Sequence, residues 1–399
     1  MEIFAHDLEM EIILNIAKSD SGIQESKKID RGITLVTVLF SKIIGIYLSD
    51  HYVAGMKRRR FLKQVSLGAG ILFTPKPFTP KFHKESTTGK IISVNGMLDP
   101  AKAGIFLPHE HILVDFTGAD RYDPGRWDRQ EVIRVMEPYL LEIIKYGGST
   151  FVDCTPEYLG RDPNLLKELS ELTGLHILTN TGYYGAGNNK YLPSFVYAEK
   201  AEELAGRWIR EFKNGIGDTR IRPGFIKVGV NDQPLSPLHR KLLEAAALTH
   251  LETGMTIASH SGSSIPAFEE LQVLSEFRIS PSAFIWVHAQ NEPDLEKRRE
   301  AARQGAWVSL DGLNETNVTQ YVDWIKDFKE NHCLEHVLVS HDSGWYTPGP
   351  PYGGKINGYT VLFRKLLPSL RENSFKEQEI NQIIKKNPSE AFRIRVRKY

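Results

Sequence analysis

Cysteine is scarce in this chain of 399 residues, which contains only Cys154 and Cys333. Neither belongs to a Cys-x-x-Cys pair, so the sequence indicates neither a zinc ribbon nor a disulfide framework. An excess of one charge is also missing, because 50 basic side chains face 49 acidic ones. Without a basic stripe interleaved with aromatic residues, the composition argues against a nucleic-acid partner.

Long hydrophobic runs are rare as well. Residues 33–40 and 43–48 are apolar, but Ser41 and Lys42 separate them, which leaves them too short and broken for a confident membrane span. We expect residues 1–55 to be an upstream extension that is disordered or absent from the mature protein. A membrane anchor is the alternative.

A basic stretch, Lys57-Arg-Arg-Arg-Phe-Leu-Lys63, precedes a short and weakly apolar segment. This is the plan of a secretory signal peptide, and it resembles the bacterial twin-arginine export signal. We therefore predict a signal peptide over 56–74, a Pro-rich linker over 75–89, and export to the periplasm or the medium by the twin-arginine translocation machinery. A basic surface helix is the alternative.

From residue 90, short apolar runs alternate with amphipathic segments, which predicts parallel strands joined by helices. The predicted strands are 104–108, 149–154, 176–181, 224–229, 256–260, 284–288, 306–310 and 336–341. Helices are predicted between them, for example over 129–146, 197–214, 237–253, 266–277, 295–304 and 317–331.

Eight such units close into an α/β fold, the (β/α)8 TIM barrel, which would occupy residues 90–399 as one domain. A hairpin is predicted within 90–103, and two extra helices at about 358–371 and 375–387. The competitor is an open doubly wound sheet, but no Gly-x-Gly-x-x-Gly motif follows the first strand.

Polar side chains stand at the ends of five predicted strands, where barrel enzymes have their active sites. In an extended chain His109 and His111 point to the same face, and Glu110 points the other way. The complete set is His109, His111, Lys227, His260, His288 and Asp342.

Each histidine alone could be an ordinary polar residue, but a lysine inside an apolar strand must be paired, neutral or modified. Imidazole and carboxylate groups bind zinc, manganese, iron or cobalt. Six groups suit two ions about 3.5–4 Å apart. A neutral Lys227 can add carbon dioxide to become a carbamate that bridges both ions.

These residues resemble the phosphotriesterase family of the amidohydrolase superfamily over roughly 90–395. The segments Leu107-Pro-His-Glu-His-Ile112 and Lys386-Asn-Pro-Ser-Glu-Ala-Phe392 add to the resemblance. It implies two divalent ions, with zinc favoured. His109, His111 and Asp342 would hold the more buried ion. His260 and His288 would hold the more exposed one, and carboxylated Lys227 would bridge them.

The resemblance further implies hydrolysis of a small-molecule ester. A metal-bridging hydroxide would attack a phosphotriester, lactone or other ester, with Asp342 as the general base. Tyr183, Tyr184 and Trp345 are candidate substrate contacts, although Trp345 could equally pack its loop. A homodimer is a possible assembly.

Two departures leave the substrate open. Gly312 follows Asp311 where lactonase-like members often have arginine, and Ala289-Gln-Asn-Glu292 replaces an acidic cluster. The rival hypotheses are a mononuclear deaminase or amidase, which would have no use for Lys227, and a non-catalytic metal-binding barrel. The intact ligand set argues against the latter.

Overall fold

A computed structural model describes residues 88–399 of the chain. The predicted extension and export signal, and all but the end of the predicted linker, lie outside the described residues. Within 88–399, no helix has both the length and the apolar character needed to cross a membrane.

The strands follow the predicted order. They are β1 Ile91–Ser93, β2 Gly96–Leu98, β3 Ile105–Glu110, β4 Gly148–Asp153, β5 His176–Leu178, β6 Asn180–Thr181, β7 Phe225–Gly229, β8 Ile257–His260, β9 Phe284–Val287, β10 Trp307–Leu310 and β11 Val337–Val339. The first two form an antiparallel hairpin, and the others pair in parallel in chain order, as β3 to β5 and as β6 to β11.

The two parallel sheets together make the eight strands of a barrel. β5 and β6 are halves of the third barrel strand, interrupted at Thr179. Backbone bonds join the first and last strands just beyond β11, where Asp342 N donates to His109 O at 3.1 Å and His111 N donates to Ser343 O at 2.9 Å. The predicted (β/α)8 barrel is confirmed.

Helices separate the strands. They are α1 Arg129–Lys145, α2 Pro163–Thr173, α3 Phe195–Ala198, α4 Ala201–Asn214, α5 Pro237–Thr253, α6 Ser264–Glu276, α7 Leu295–Gln304 and α8 Val318–Glu330. Single 3-10 turns lie at Pro100–Lys102, Ala119–Arg121, Pro124–Arg126, Pro281–Ala283, Ala289–Asn291, Leu334–His336 and Pro351–Gly353.

The two extra C-terminal helices are also present, and each contains a π-helical turn. The first combines Leu362–Leu366 with α9 Leu367–Glu372, and the second combines α10 Glu377–Asn381, Gln382–Lys386 and α11 Asn387–Ala391. One predicted helix is divided. The segment predicted over 197–214 breaks before Ala201, because the Glu203 carboxylate accepts from Lys200 N at 2.8 Å and starts α4 there.

The lower barrel interior is apolar and is closed by both ends of the domain. Inward side chains of the barrel strands form one buried cluster with Ile91 and Leu98 of the β1–β2 hairpin and with Ala391 and Phe392. Phe225 of β7 belongs to this cluster, and side chains alternate along a strand. Lys227, two residues later, therefore also points inward, above the apolar layer.

Candidate metal centre

One pocket opens at the C-terminal ends of the barrel strands. His109 and His288 have ring centroids 5.1 Å apart, and His260 and His288 have centroids 4.4 Å apart. The structure thus brings all six predicted site residues together as lining of this pocket: His109, His111, Lys227, His260, His288 and Asp342.

Two of these residues have a strained backbone. His288 has φ of 63° and Asp342 has φ of 55°, in the left-handed region that residues other than glycine rarely adopt. Such strain persists only where surrounding contacts enforce it, and it concentrates at functional sites. Here His288 N donates to Asp311 Oδ2 at 3.2 Å, and Asp342 N donates to His109 O.

Asp311, at the end of β10, orients two of the histidines. His109 Nδ1 lies 3.0 Å from Asp311 Oδ2, and His288 Nδ1 lies 2.7 Å from Asp311 Oδ1. Asp311 is itself held, because Gln290 Nε2 donates to its Oδ1 at 3.0 Å. One carboxylate therefore sets the ring orientation of histidines from two different strands.

The other two histidines are held by hydroxyl groups. His111 Nδ1 lies 2.7 Å from Thr155 Oγ1, and His260 Nδ1 lies 2.9 Å from Tyr184 Oη. All four pocket histidines therefore engage Nδ1 in a supporting hydrogen bond. When Nδ1 carries the proton, Nε2 is left as the free donor atom, which is the arrangement found around metal-ligating histidines.

The remaining two groups are a carboxylate and an amine. Asp342 Oδ1 lies 3.0 Å from His111 Nε2 and 3.6 Å from His109 Nε2. Lys227 is 2% exposed, and its Nζ has no hydrogen-bond partner among the described residues. An unpartnered buried amine is costly, so this position calls for a partner that the protein atoms do not supply.

Burial and neighbouring charges together shift the pKa values of the site residues. Burial lowers the pKa of Lys227 and places that of His260 well below its ordinary value. Burial would also lower the pKa of His288, but the Asp311 carboxylate outweighs it and the pKa is raised. Burial opposes ionisation of Asp342, yet His111 and the other histidines lower its pKa. Lowered pKa values for both the Lys227 amine and the Asp342 carboxyl suit metal binding, because metal ligands bind in their deprotonated forms.

Glu110 lies outside the pocket, as predicted, and fastens the end of the last strand. Its fully buried carboxylate accepts hydrogen bonds from Ser340 Oγ at 2.7 Å, from His341 Nδ1 at 2.6 Å and from Ser343 N at 2.9 Å. Asp342 lies between two of these donors, so Glu110 fixes the turn that presents it.

The pocket walls are largely apolar and aromatic. Tyr184 and Trp345, both predicted substrate contacts, line them together with Phe116 and Leu159. The Trp345 ring lies 5.9 Å from that of His111 and is 36% exposed. A half-exposed aromatic ring beside the candidate ligands is available to a bound molecule.

Tyr183 is the one predicted site residue that the structure does not bring to the pocket. Its ring is buried against Phe195 at 5.7 Å and Trp208 at 5.3 Å, on the outer side of the barrel wall. Consecutive residues of extended chain point in opposite directions, so Tyr183 and Tyr184 cannot both face inward. This placement corrects the expectation that both line the pocket.

Asp311 and Thr155 were not identified as site residues from the sequence. Asp311 had a usable signal, since it is the first polar residue after the apolar strand Trp307–Leu310 and stands at a strand end. Thr155 had none, because a single threonine after an apolar strand is an ordinary residue, and only the structure shows that its hydroxyl reaches His111.

Comparison with known proteins agrees with this geometry. The sequence profile of the phosphotriesterase family matches residues 89–392. The chain is 26% identical to the aryldialkylphosphatase of Saccharolobus solfataricus over 308 residues, which cover 72% of this chain and 95% of that relative. It is 26% identical to the human N-acetyltaurine hydrolase over 350 residues, which cover 76% of this chain and 98% of that relative.

A solved structure of the organophosphorus hydrolase from Deinococcus radiodurans superposes with a TM-score of 0.69. That match covers 76% of this chain and 97% of the other, at 24% identity, and it supports the barrel fold. The family profile spans well over half of the chain, and it includes every candidate ligand. The chain therefore belongs to the phosphotriesterase family.

Proposed function

We propose that the protein is a metal-dependent hydrolase that uses two divalent ions, with zinc favoured over manganese, iron or cobalt, to cleave ester bonds. The observation that carries the proposal is the convergence of four Nδ1-anchored histidines with Asp342 and the unpartnered Lys227 amine in one pocket. The residues present fit the metal chemistry of the family.

The donor atoms divide into two groups. His109, His111 and Asp342 place one ligand atom each within 4.8 Å of one another, and they would hold the more buried ion. His260 and His288 would hold the second ion. Lys227, carboxylated by carbon dioxide, would be a ligand of both ions. When bound, the ions would supply Lewis acidity and a water molecule of lowered pKa.

The protein's own side chains would act as the general base and as the contacts to the substrate. The lowered pKa of Asp342 keeps its carboxylate ionised, so it can accept a proton as the general base. Tyr184, Trp345 and Phe116 would contact the organic part of the substrate. These rings, together with Val114 and Leu159, make the pocket walls largely apolar, so an uncharged ester fits the walls better than an anion.

The test is a hydrolysis panel on metal-reconstituted protein, with uncharged phosphotriesters, lactones and carboxylic esters as substrates. Turnover of at least one ester class, abolished by chelation and restored by metal, is expected. Full metal occupancy without turnover across the panel would instead favour the non-catalytic barrel.

A second candidate is amide hydrolysis, because one relative is named an N-acetyltaurine hydrolase. N-acylated amines therefore belong in the same panel. The mononuclear amidase or deaminase differs in metal count, since it would bind one ion per chain and would not need Lys227.

Lys227→Ala separates these readings. If Lys227 bridges two ions, the variant should lose one ion per chain by elemental analysis and at least about 100-fold in kcat. Lys213→Ala is a matched control, because Lys213 pairs with Glu252 at an exposed position and lies outside the pocket. A Lys227→Ala protein that binds two ions and keeps full activity would contradict the proposed bridging role of Lys227.

Export remains a proposal, since Arg58 and Arg59 lie outside the described residues. Replacing both with lysine should retain the protein in the bacterial cytoplasm, which cell fractionation measures against the parent. The homodimer also stays a prediction, and sedimentation velocity of the purified protein would test it.

A further inference from the structure

A second cavity, of about 600 Å³, lies at the opposite end of the barrel. Trp307 is the first residue of β10, Ser282 lies two residues before β9, and His336 immediately precedes β11. Because the barrel strands are parallel, residues at their starts lie on the face away from the metal centre. We call this space the floor cavity, and its lining is separate from the pocket described above.

The charge in the floor cavity is predominantly positive. Glu390 is the carboxylate engaged there, with Oε1 2.7 Å from Arg395 Nη2 and Oε2 3.4 Å from Arg393 Nε. One carboxylate is thus shared by two guanidinium groups. The charged lining residues are Lys386, Arg393, Arg395 and Arg397, against Glu335 and Glu390.

Arg397 is the buried member of this set, 4% exposed, and within residues 88–399 its hydrogen bonds go to carbonyl and hydroxyl oxygens. Its guanidinium donates to Glu390 O at 2.6 Å, Arg393 O at 3.1 Å and Thr256 Oγ1 at 3.0 Å. Through these contacts Arg397 anchors the C-terminal segment. Burial together with Arg395 lowers the pKa of Arg397 to about 10, although the nearby Glu390 carboxylate opposes this shift.

Among the described residues, three buried nitrogen atoms of the cavity lining have no hydrogen-bond partner. They are Arg397 Nε, His336 Nδ1 and Arg393 Nε, the last of which lies 3.4 Å from Glu390 Oε2. Buried polar atoms are nearly always paired, and an arginine Nε can only donate, so the unpaired Arg397 Nε points to an absent acceptor. His336 Nδ1 lacks a partner of either kind. The positive charge indicates that the acceptor is an anion.

We propose that the floor cavity binds the phosphate group of an organic phosphate. Phosphate offers several acceptor oxygens and up to two negative charges, which match the arginine-rich lining and its excess of cations. The cavity exceeds one phosphate ion in size, and Trp307, Pro100 and Ala101 supply an apolar wall for an attached organic group. This site is independent of the proposed hydrolase activity.

Calorimetric titration of metal-free protein with inorganic phosphate tests the proposal, since removal of metal eliminates phosphate binding to the catalytic ions. Chloride at matched ionic strength serves as the blank. One phosphate per chain is expected to bind. The double variant Lys386→Gln/Arg395→Gln should weaken binding at least about tenfold, because both cations line the cavity.

The matched control is Lys365→Gln/Arg371→Gln, which removes two cations from the same C-terminal region but outside the cavity. Lys365 pairs with Glu315 and Arg371 with Glu377, and the control should leave phosphate affinity unchanged. Phosphate binding that is absent in the parent, or equal in both double variants, would overturn the proposal. Circular dichroism verifies that each variant is folded.

The phosphate group could belong to a soluble metabolite or to a lipid headgroup. Co-sedimentation with phosphatidylglycerol vesicles but not with phosphatidylcholine vesicles, reversed by inorganic phosphate, would assign it to a lipid. Calorimetric binding without co-sedimentation would assign it to a soluble ligand, and failure of both assays would overturn the site.

Discussion

At the scale of single residues, Asp311 supports the candidate centre without being one of the predicted ligands. It is fully buried, and its two oxygens contact the Nδ1 atoms of His109 and His288. The histidines in turn hold its pKa well below the ordinary value, although burial opposes this. An ionised Asp311 therefore fixes the tautomer in which both Nε2 atoms face the pocket.

Asp311→Asn is expected to weaken metal binding by about 10- to 100-fold, the usual effect of losing a partner of a metal-ligating histidine. The amide keeps the size of the carboxylate but cannot fix both rings by accepting from each on equal terms. Competition with a chromophoric chelator measures the affinity. Asp232→Asn is the control, because the Asp232 carboxylate accepts from Ser263 N and Ser263 Oγ outside the pocket. Equal metal affinity of parent and Asp311→Asn would contradict the role of Asp311.

At the scale of secondary-structure elements, a buried side chain of α6 forms hydrogen bonds to the end of β8. Glu270 of α6 is fully buried and accepts from Ser259 Oγ at 2.5 Å and from Ser261 Oγ. These serines flank His260, and alternate residues of a strand face opposite sides. The helix thus contacts the outer face of the strand, while His260 faces the pocket.

Glu270→Gln should change how stability depends on pH. Burial raises the pKa of Glu270 from 4.5 to about 7, so the folded protein keeps a proton that the unfolded chain releases. Stability therefore falls as pH rises between about 4.5 and 7. Glutamine does not ionise, so the unfolding free energy of the variant should improve relative to the parent between about pH 5 and pH 8.

Urea unfolding of both metal-free proteins at the two pH values measures this difference. Comparing the two proteins cancels the titration of the histidines, which they share. A difference in unfolding free energy that stays constant with pH would show that Glu270 does not titrate in this range.

The start of α2 offers another prediction at this scale. Asp162 caps the helix by accepting from Leu165 N at 3.2 Å, and it also accepts from Trp127 Nε1 at 3.0 Å and Arg129 Nε at 2.6 Å. Asp162→Ala removes the cap and leaves the buried indole N–H unpaired, which should cost about 2–4 kcal/mol.

Asp128→Ala is the matched control for that measurement. Asp128 caps α1 through Gln130 N alone, at an exposed position, so its loss should cost only about 1 kcal/mol. Chemical denaturation compares the two variants. Equal losses would mean that the buried contacts of Asp162 add nothing to the cap.

At the scale of the whole molecule, the barrel interior divides into an apolar lower layer and a polar upper layer. The lower layer includes residues from the hairpin, from the strands and from the last helix. Phe392 belongs to it and packs edge-on against Phe225 at 5.3 Å. The apolar residues that stabilise the barrel and the candidate metal ligands therefore lie at opposite ends of it.

Phe392→Ala should destabilise the protein by about 3–5 kcal/mol, the usual cost of truncating a buried phenylalanine. The metal content of the folded fraction at room temperature should be unchanged, because the cavity forms in the lower layer. Thermal unfolding and elemental analysis measure the two effects. Phe116→Ala is the control, because Phe116 is 39% exposed at the pocket wall and should cost little stability. A Phe392→Ala protein as stable as the parent would contradict this division.

Much of the fold could be predicted from local patterns in the sequence. All eight barrel strands, the hairpin and the two C-terminal helices were expected, because apolar runs of strand length and amphipathic helical spacing are local properties. The helix predicted over 197–214 was not resolved into α3 and α4. Its interruption depends on the Glu203 side chain capping Lys200 N, which hydrophobic spacing does not reveal.

The candidate ligands were predictable for a related reason. His109, His111, Lys227, His260, His288 and Asp342 each follow or interrupt an apolar strand, and parallel strands bring their ends to one face. Side-chain direction was harder to predict. Tyr183 and Tyr184 are neighbours in the sequence, and only the observed backbone shows that Tyr184 reaches His260 while Tyr183 packs outward.

The barrel and the identities of the groups at its mouth were therefore predictable, since both follow from the order of residues along single strands. The residues that support those groups could be identified only from the folded barrel. Asp311, Thr155 and Glu270 come from separate elements, and their contacts exist only after the barrel has closed. The floor cavity has the same origin, because Arg397 and His336 are distant in sequence and meet only where the C-terminal segment folds beneath the strands.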